Sequence, residues 1–311
     1  MARILTGVQS TGIPHLGNII GAIIPAIKMA EDEMNESFLF IADLHSITQI
    51  KDCHELSENT FATAATWLAC GLNPEKTIFF RQSAVSQVTE LAWFLSCFFP
   101  YQRLKLAHSF KDKSDHLEDV NCGLFTYPML MASDILIYNA EFVPVGKDQL
   151  QHIEITRDVA SRFNHQFGET FVLPKPKIEE NTQYVTGTDG EKMSKSKNNT
   201  INIFLQEKKL RSQIMSIKTD SKSIDEPKNP DQCNLFKLFS ILGNKNQIDV
   251  LRQKYLNGGV GYGDTKQELF ELILEKFKTE RTKFKYYNEN PREVELALEK
   301  GANKASKIAD D

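Results

Sequence analysis

The sequence predicts an α/β fold in which a doubly wound parallel sheet precedes a C-terminal α-helical domain, and three observations support this prediction. Short apolar runs alternate with segments of helical periodicity over the first two-thirds of the chain. Strands that are separated by helices form parallel β-α-β units, which build such sheets. From about Asn202 onward, helical patterns continue with few strand signals. We therefore predict a Rossmann-like domain over 1–200 and a helical domain over 201–311, and the first domain could also include a returning C-terminal tail.

Four apolar runs of strand length are predicted to form the sheet, and they cover 3–8, 37–42, 77–80 and 141–145. The helices predicted in the same region cover 17–33, 55–70, 126–138 and 148–163. Pro25 should kink the first of these helices or mark a restart, because proline lacks the N–H that a continuous helix requires. Ligands of such sheets bind beyond the carboxyl ends of the strands. The first two strands place 7–12 and 43–46 at that edge.

The second domain is predicted to be helical throughout. Its helices cover 204–217, 234–242, 248–256 and 266–286, and a tail helix starts at Arg292. The glycine-rich segment 258–263 is predicted to be a flexible loop between two of these helices. A phosphate-binding role for these glycines is the alternative, but no strand precedes them, as such a motif requires.

Composition excludes several classes of protein. Hydrophobic residues make up 41% and charged residues 25% of the chain, as in soluble globular proteins. The net charge of −4 provides no global basic field, so a nucleic-acid partner would have to bind local patches. The five cysteines include no Cys-x-x-Cys pair, which argues against a disulfide framework or a zinc site and for a reducing compartment. Without a signal peptide or a membrane span, we expect a cytoplasmic protein with no bound metal and no membrane partner.

Two short segments are the most informative part of the chain. Pro14-His15-Leu16-Gly17-Asn18 follows the first predicted strand, and Lys192-Met193-Ser194-Lys195-Ser196 lies near the end of the first domain. Alone, the first could be a strand-to-helix corner with an exposed histidine, and the second a solvated turn. Together they resemble the paired ATP-binding motifs of class I aminoacyl-tRNA synthetases, a His-x-Gly-His/Asn turn and a Lys-Met-Ser-Lys-Ser loop. The match to the second motif is complete.

The residue types in these two motifs suit the activation of an amino acid by ATP. The substrate carboxylate is already ionised at neutral pH, so catalysis must align it with the α-phosphorus and stabilise charge on the departing pyrophosphate. Lys192 and Lys195 on a mobile loop can supply positive charge as the pyrophosphate leaves. Gly17 lets a nucleotide approach the start of the following helix, where His15 and Asn18 can donate hydrogen bonds to phosphate oxygens.

One predicted helix carries a carboxylate in an apolar stretch. Tyr127, Met131 and Asp134 are spaced to share one helical face, and a buried carboxylate is costly without a partner. A buried ion pair or a hydrogen bond to a neighbouring loop is one explanation. However, the segments 126–139 and 143–154 closely resemble the tryptophanyl-tRNA synthetase family, and this resemblance extends over nearly the whole chain.

The resemblance implies how tryptophan would be bound. Asp134 would accept the indole N–H, so that a phenylalanine side chain would leave this acceptor unpaired and be rejected. The family often has an aromatic residue where Leu5 stands, which puts one wall of the pocket in doubt. The expected tryptophan-binding residues are Asp134, Leu5, Gln9, His45, Tyr127, Met131, Val143, Val145 and Gln149.

The same resemblance implies the ATP contacts. Catalytic roles fall on Lys192, Lys195, His15, Asn18 and Lys113. The expected ATP-binding residues are Gln9, Ser10, Thr11, Gly17, Asn18, Gly146, Lys147, Asp148, Val185, Lys192, Met193, Ser194, Lys195, Ser196 and Lys111. For Lys111 and Lys113 a solvated charge run is the alternative. Magnesium would be held mainly by the ATP phosphates, and no tightly bound cofactor is expected.

Two groups of basic residues could contact tRNA. The first group is Lys208, Lys209, Arg211, Lys218 and Lys222. In the second, Lys276, Lys278, Arg281, Lys283 and Lys285 are interleaved with Phe277, Phe284, Tyr286 and Tyr287. Basic groups for phosphates and aromatic rings for stacked bases suit a single-stranded anticodon loop. The alternative is an amphipathic helix with buried phenylalanines and solvated lysines. The resemblance also implies a homodimer.

The resemblance therefore implies that the chain is a tryptophan–tRNA ligase. Such an enzyme activates L-tryptophan with ATP to tryptophanyl-adenylate and pyrophosphate, and then transfers tryptophan to the 3′ end of tRNA(Trp). Three alternatives stay open at this point: a tyrosyl relative, a catalytically silent paralogue that binds nucleic acid or tryptophan, and a small nucleotidyltransferase with a His-x-Gly turn.

Overall fold

The computed structural model describes residues 1–106, 120–146, 149–178 and 185–311. Its described strands form one parallel sheet in the order β3-β2-β1-β4-β5. The strands are β1 Ala2–Val8, β2 Asn35–Ile41, β3 Ile78–Arg81, β4 Phe142–Val145 and β5 Lys175–Ile178. The chain moves outward from β1 in both directions, so the predicted doubly wound sheet is confirmed.

The sequence analysis does not predict β5. Its four residues, Lys-Pro-Lys-Ile, are all exposed. Because three of the four are lysine or proline, the segment lacks the apolar pattern by which strands are predicted. Proline is tolerated because β5 is an outer strand, where one side of the backbone needs no ladder partner.

Helices surround the sheet in the first two-thirds of the chain. They are α1 Leu16–Asn18, α2 Ile24–Ala30, α3 Asp43–Ser46, α4 Cys53–Ala69, α5 Gln87–Phe98, α6 Tyr101–Leu104, α7 Cys122–Leu136 and α8 Leu150–Phe167. A π-helical segment, Ile19–Ile23, separates α1 from α2. Pro25 lies in the first turn of α2, directly after the π-helical segment, where its missing N–H costs least. The backbone stays helical across this point, so the hydrogen-bond pattern changes near Pro25 without a break in the helix.

The remaining helices are α9 Glu207–Met215, α10 Asn234–Leu242, α11 Lys245–Asn257, α12 Tyr262–Lys276, α13 Lys278–Glu289 and α14 Pro291–Asp310. The prediction of one continuous helix over 266–286 is wrong. The chain breaks at Phe277, whose backbone leaves the helical region while its ring is buried in the core. Burial of this ring outweighs the helical propensity of the lysine-rich sequence around it.

Alternation along β2 divides the apolar core between the two faces of the sheet. Leu39 and Ile41 point into a cluster that continues into the C-terminal helices, where it includes Leu269 of α12. Phe38 and Phe40 point the other way, into a second cluster that includes Leu5 of β1 and Val143 of β4. Both faces are buried, as expected for a parallel sheet.

The last helix packs against the outer strand β3. Gly301 of α14 lies so close to the strand that an added Cβ would stand 1.8 Å from the carbonyl oxygen of Phe79. Arg81 of β3 also pairs with Glu295 of α14. The C-terminal tail thus contacts the sheet of the first two-thirds of the chain.

Candidate active site

A cavity of about 910 Å³ opens at the carboxyl end of β1 and brings the two motifs together. Its lining includes the predicted ATP-binding residues Gln9, Thr11, Gly17, Asn18, Gly146, Val185, Lys192, Met193, Ser194, Lys195 and Ser196, together with His15. These residues come from the turn after β1, from α1, from the loop after β4 and from the segment around 185–196, which are far apart in the sequence.

His15 and Asn18 fix each other at the start of α1. The backbone N–H of Asn18 donates to Nδ1 of His15 at 3.3 Å, and the backbone N–H of His15 donates to Oδ1 of Asn18 at 3.1 Å. Burial and the nearby charge of Lys195 lower the pKa of His15 to about 4. The imidazole is therefore neutral near pH 7. Since Nδ1 accepts a hydrogen bond, Nε2 carries the proton and can act as a donor.

The segment 192–196 closes against the first motif. Nζ of Lys195 donates to the carbonyl oxygen of Gly12 at 2.6 Å, and Sδ of Met193 accepts the N–H of Gly17 at 3.3 Å. Gly12 has a φ of +135°, a conformation that a residue with a side chain rarely adopts. Partial burial lowers the pKa of Lys195 to about 8.

Asn199 holds this segment in place, and the sequence analysis misses it. Its Oδ1 accepts the N–H of Ser194 at 2.7 Å, while its Nδ2 donates to the carbonyl oxygen of Lys192 at 3.1 Å and to Oδ1 of Asp189 at 2.7 Å. The residue is 2% exposed. Gly187 packs so closely that any Cβ there would collide with the Asn199 amide. The amide thus connects both sides of the loop.

A second cavity of about 370 Å³ adjoins the first. All of the predicted tryptophan-binding residues line it: Leu5, Gln9, His45, Tyr127, Met131, Asp134, Val143, Val145 and Gln149. Gln9 and Gly146 line both cavities, so the two spaces share a wall.

Phe40 is an aromatic wall of the smaller cavity that the sequence analysis misses. It pairs in register with Gly7 on β1, and a Cβ at Gly7 would stand 2.4 Å from the Phe40 ring. Glycine is therefore required beneath this ring. Leu5 also lines the cavity and is 2% exposed, so its apolar surface contributes without an aromatic ring.

Asp134 has hydrogen-bond partners within the protein and also lines the smaller cavity. It lines the smaller cavity, yet it is 2% exposed and also has protein partners. Oδ2 lies 2.9 Å from Nε2 of His45, and the amide nitrogen of Gln82 donates to Oδ1 at 2.8 Å and to Oδ2 at 2.9 Å. Burial raises the pKa of the Asp134 carboxyl, and these hydrogen bonds oppose the rise. A buried carboxylate is thus stabilised at the cavity wall.

Ser10 does not line the larger cavity. Its hydroxyl is fully buried and bonds to Oγ of Ser46 at 3.2 Å, and the hydroxyl of Thr60 donates to it at 3.0 Å. Its backbone N–H also donates to Oγ of Ser46 at 2.9 Å. These contacts tie the turn after β1 to α3 and α4, so Ser10 stabilises the turn that carries Gln9 and Thr11.

Four predicted site residues, Lys111, Lys113, Lys147 and Asp148, lie outside the described residues. Within the described part of the chain, no group of three or more histidine, cysteine, aspartate and glutamate residues is placed to hold a metal ion. The helices of that part include none with the length and apolar character to cross a membrane.

The predicted tRNA-contacting aromatics divide between burial and exposure. Phe277 is 2% exposed, and Phe284 stacks on Phe204 with ring centroids 4.1 Å apart. Phe277 is thus buried and Phe284 packs partly buried against the core, as the amphipathic-helix alternative expects. Tyr286, in contrast, is 45% exposed. Among the basic residues of this region, Nζ of Lys276 donates to the carbonyl oxygen of Leu242 at 2.7 Å.

Comparisons with known proteins agree with this geometry. Residues 1–278 match the family described as tRNA synthetases class I (W and Y). The tryptophan–tRNA ligase of Fusobacterium nucleatum is 47% identical over 310 residues, which cover 99% of this chain and 94% of that protein. The crystal structure of tryptophanyl-tRNA synthetase from Campylobacter jejuni complexed with ADP and tryptophan is 44% identical with a TM-score of 0.95, covering 99% of this chain and 96% of that one. That of the Mycoplasma pneumoniae enzyme is 29% identical with a TM-score of 0.80, covering 99% and 94%.

The parallel sheet, the paired motifs and the matching family define a class I aminoacyl-tRNA synthetase, and hence an aminoacyl-tRNA ligase. The relatives that match nearly the full length narrow this class further. The chain belongs to the tryptophanyl-tRNA synthetase family. The family and the fold predicted from the sequence are confirmed.

Proposed function

We propose that the two adjoining cavities carry out the activation of L-tryptophan by ATP. The larger cavity takes ATP as its magnesium complex, with the metal held mainly by the phosphates, and the smaller one takes tryptophan. The shared wall formed by Gln9 and Gly146 is the single observation that carries this proposal. It lets the tryptophan carboxylate and the α-phosphorus meet where the two spaces join, which is the alignment that the reaction requires.

Tryptophan selection rests on Asp134. Its carboxylate accepts the indole N–H, while Met131, Val143, Val145 and Phe40 enclose the ring. A phenylalanine side chain has no hydrogen-bond donor, so it leaves a buried acceptor without a partner. Gln9, His45, Tyr127 and Gln149 hold the polar end of the substrate or keep the pocket in order.

Charge on the departing pyrophosphate is stabilised by the two lysines of the 192–196 segment. Lys195 exchanges the Gly12 carbonyl for phosphate oxygens when ATP enters, because the Lys195 side chain lines the cavity that takes ATP. Lys192 supplies a second positive charge, and neutral His15 donates through Nε2 alongside Asn18. The carboxylate oxygen bonds to the α-phosphorus as the bond to the pyrophosphate oxygen breaks, and no protein base is needed. The ATP roles of Lys111, Lys113, Lys147 and Asp148 rest on the family resemblance alone.

Transfer to tRNA(Trp) involves the helical region 201–311, whose basic residues face the anticodon loop. We place the anticodon-binding domain there and the catalytic domain at 1–200. A homodimer is supported by the exposed apolar side chains Trp93 and Phe94 on α5 and Tyr101 on α6. These side chains lie on two consecutive helices, and exposed apolar surface of this kind is available to a protein interface.

Amino-acid-dependent exchange of pyrophosphate into ATP, run across all twenty amino acids, tests this function. We expect exchange with tryptophan alone. Exchange driven by tyrosine would point to the tyrosyl relative, and an absence of exchange with every amino acid would point to a catalytically silent paralogue.

A further inference from the structure

We propose that Gln82 is a positioning residue that aims the carboxylate of Asp134 at the indole N–H and so sets the discrimination against amino acids that lack this donor. The inference rests on the proposed role of Asp134. Gln82 lines neither of the two cavities described above. Of its hydrogen-bond partners, Asp134 and His45 line the smaller cavity, and we assign its effect on selection to its bonds with the Asp134 side chain.

The amide of Gln82 has a single orientation that satisfies its neighbours. The residue follows β3 in a short 3-10 turn, Gln82–Ala84, and is fully buried. Its Oε1 accepts the backbone N–H of Leu44 at 3.1 Å and that of His45 at 3.4 Å. Because these donors require an oxygen, the amide nitrogen must face Asp134, where it donates to Oδ1 at 2.8 Å and to Oδ2 at 2.9 Å.

The backbone segments that contact Gln82 are held together by a second carboxylate, that of Asp43. Oδ1 of Asp43 accepts the N–H of Leu44 at 3.0 Å and the N–H of Ser83 at 3.0 Å. The hydroxyl of Ser83 also donates to Oδ2 of Asp43. These bonds tie the start of α3 to the turn that carries Gln82, so the amide rests on two joined backbone segments.

The hydrogen-bond donors around Asp134 determine which acceptor position of its carboxylate remains available to a ligand. The terminal torsion of an aspartate is broad and is not fixed by its rotamer alone. A carboxylate offers about four acceptor positions. The amide of Gln82 and Nε2 of His45 take three of them, which leaves about one for the cavity. Without Gln82 the carboxylate can rotate, and the remaining acceptor position is no longer aimed at the indole nitrogen.

The test compares two substrates of nearly equal shape. β-(3-Benzothienyl)alanine replaces the indole N–H by sulfur and thus removes only the donor. Pyrophosphate exchange gives kcat/KM for each substrate. The ratio of the value for tryptophan to the value for the sulfur analogue measures how strongly the enzyme discriminates in favour of the N–H group. We expect Gln82→Met to lower kcat/KM for tryptophan by about 10- to 100-fold, the effect of removing a buried donor. The value for the sulfur analogue and the KM for ATP should change by less than about threefold.

Two further variants complete the design. Ser133→Ala is the matched control, because Ser133 is buried on the same helix as Asp134 but bonds to the carbonyl oxygen of Val88. It should leave the ratio unchanged. Gln82→Glu keeps an oxygen acceptor for the N–H groups of Leu44 and His45 but turns an oxygen toward Asp134. It should lower the ratio at least as much as Gln82→Met, and it replaces that variant if Gln82→Met fails to fold by circular dichroism.

Asp134→Ala, which removes the acceptor, separates failure of this inference from failure of the proposed function. If Asp134→Ala abolishes the preference for tryptophan while both Gln82 variants retain it, the positioning role is wrong and the role of Asp134 stands. An equal loss with both substrates in the Gln82 variants would show a purely structural contribution and would also overturn the inference. If Asp134→Ala itself leaves the preference unchanged, Asp134 is not the indole acceptor and both statements fall.

Discussion

The pKa of Lys195 makes the activation step sensitive to alkaline pH. With a pKa of about 8, about nine-tenths of the Lys195 side chains are charged at pH 7 and about one-tenth at pH 9. Only the ammonium form can stabilise the developing charge on pyrophosphate. The contribution of Lys195 is therefore complete well below pH 8 and is lost as the pH rises through this value.

The expected size of the pH effect on activity follows from these charged fractions of Lys195. If the charged form alone is active, kcat/KM for ATP falls about tenfold between pH 7 and pH 9. The ratio kcat/KM is the proper quantity, because it reports the groups of the enzyme before ATP binds. Pyrophosphate exchange at saturating tryptophan measures it while ATP is varied.

Lys195→Arg provides the control for this experiment. Arginine keeps its charge throughout this range, so the variant removes the titration of residue 195 and leaves those of the substrates unchanged. We expect a much smaller fall with Lys195→Arg, whatever its absolute activity. His15, with a pKa of about 4, should add no step near pH 6.5. An equally steep alkaline fall in both proteins would refute the assignment of the charge to Lys195.

Two other substitutions test contacts described above. Asn199→Ala leaves the N–H of Ser194 without its partner and should lower kcat/KM for ATP by about 10- to 100-fold, with the KM for tryptophan nearly unchanged. Exchange kinetics with each substrate varied in turn decide this, and a matching rise in both KM values would contradict it. Gly301→Ala should destabilise the protein by about 2–3 kcal/mol, because the new methyl group collides with the backbone of Phe79. Urea unfolding measures the change against Gly263→Ala, where a Cβ meets no atom within 4 Å, and equal midpoints would refute the packing argument.

Local patterns made the sheet and the paired motifs predictable. Leu39 and Phe40 lie in an apolar run that reads as a strand without knowledge of the rest of the chain, and β2 forms there. The π-helical turn after α1 and the strand β5 were not predictable in this way. The first depends on backbone geometry around Pro25, and the second depends on an outer position that lets exposed lysines form a strand.

The residues that position the site residues through hydrogen bonds were harder to predict from the sequence. Gln82 and Asn199 act through neighbours that are distant in sequence, so nothing in the spacing of the chain singles them out. A signal did exist for Gln82. It directly follows β3, and the rule that ligands lie beyond the carboxyl ends of parallel strands applies to this strand as it does to β1 and β2.

The contact between α14 and β3 has a consequence for biosynthesis. A ribosome makes the chain from its N-terminus, so β3 emerges more than two hundred residues before Gly301 can reach it. During that interval the nascent polypeptide carries an outer strand whose final neighbour has not yet been translated. Unprotected strands of this kind tend to associate with other chains. Packing of the N-terminal sheet is therefore completed only after α14 has been translated, and we expect chains that stop before Gly301 to be prone to aggregation.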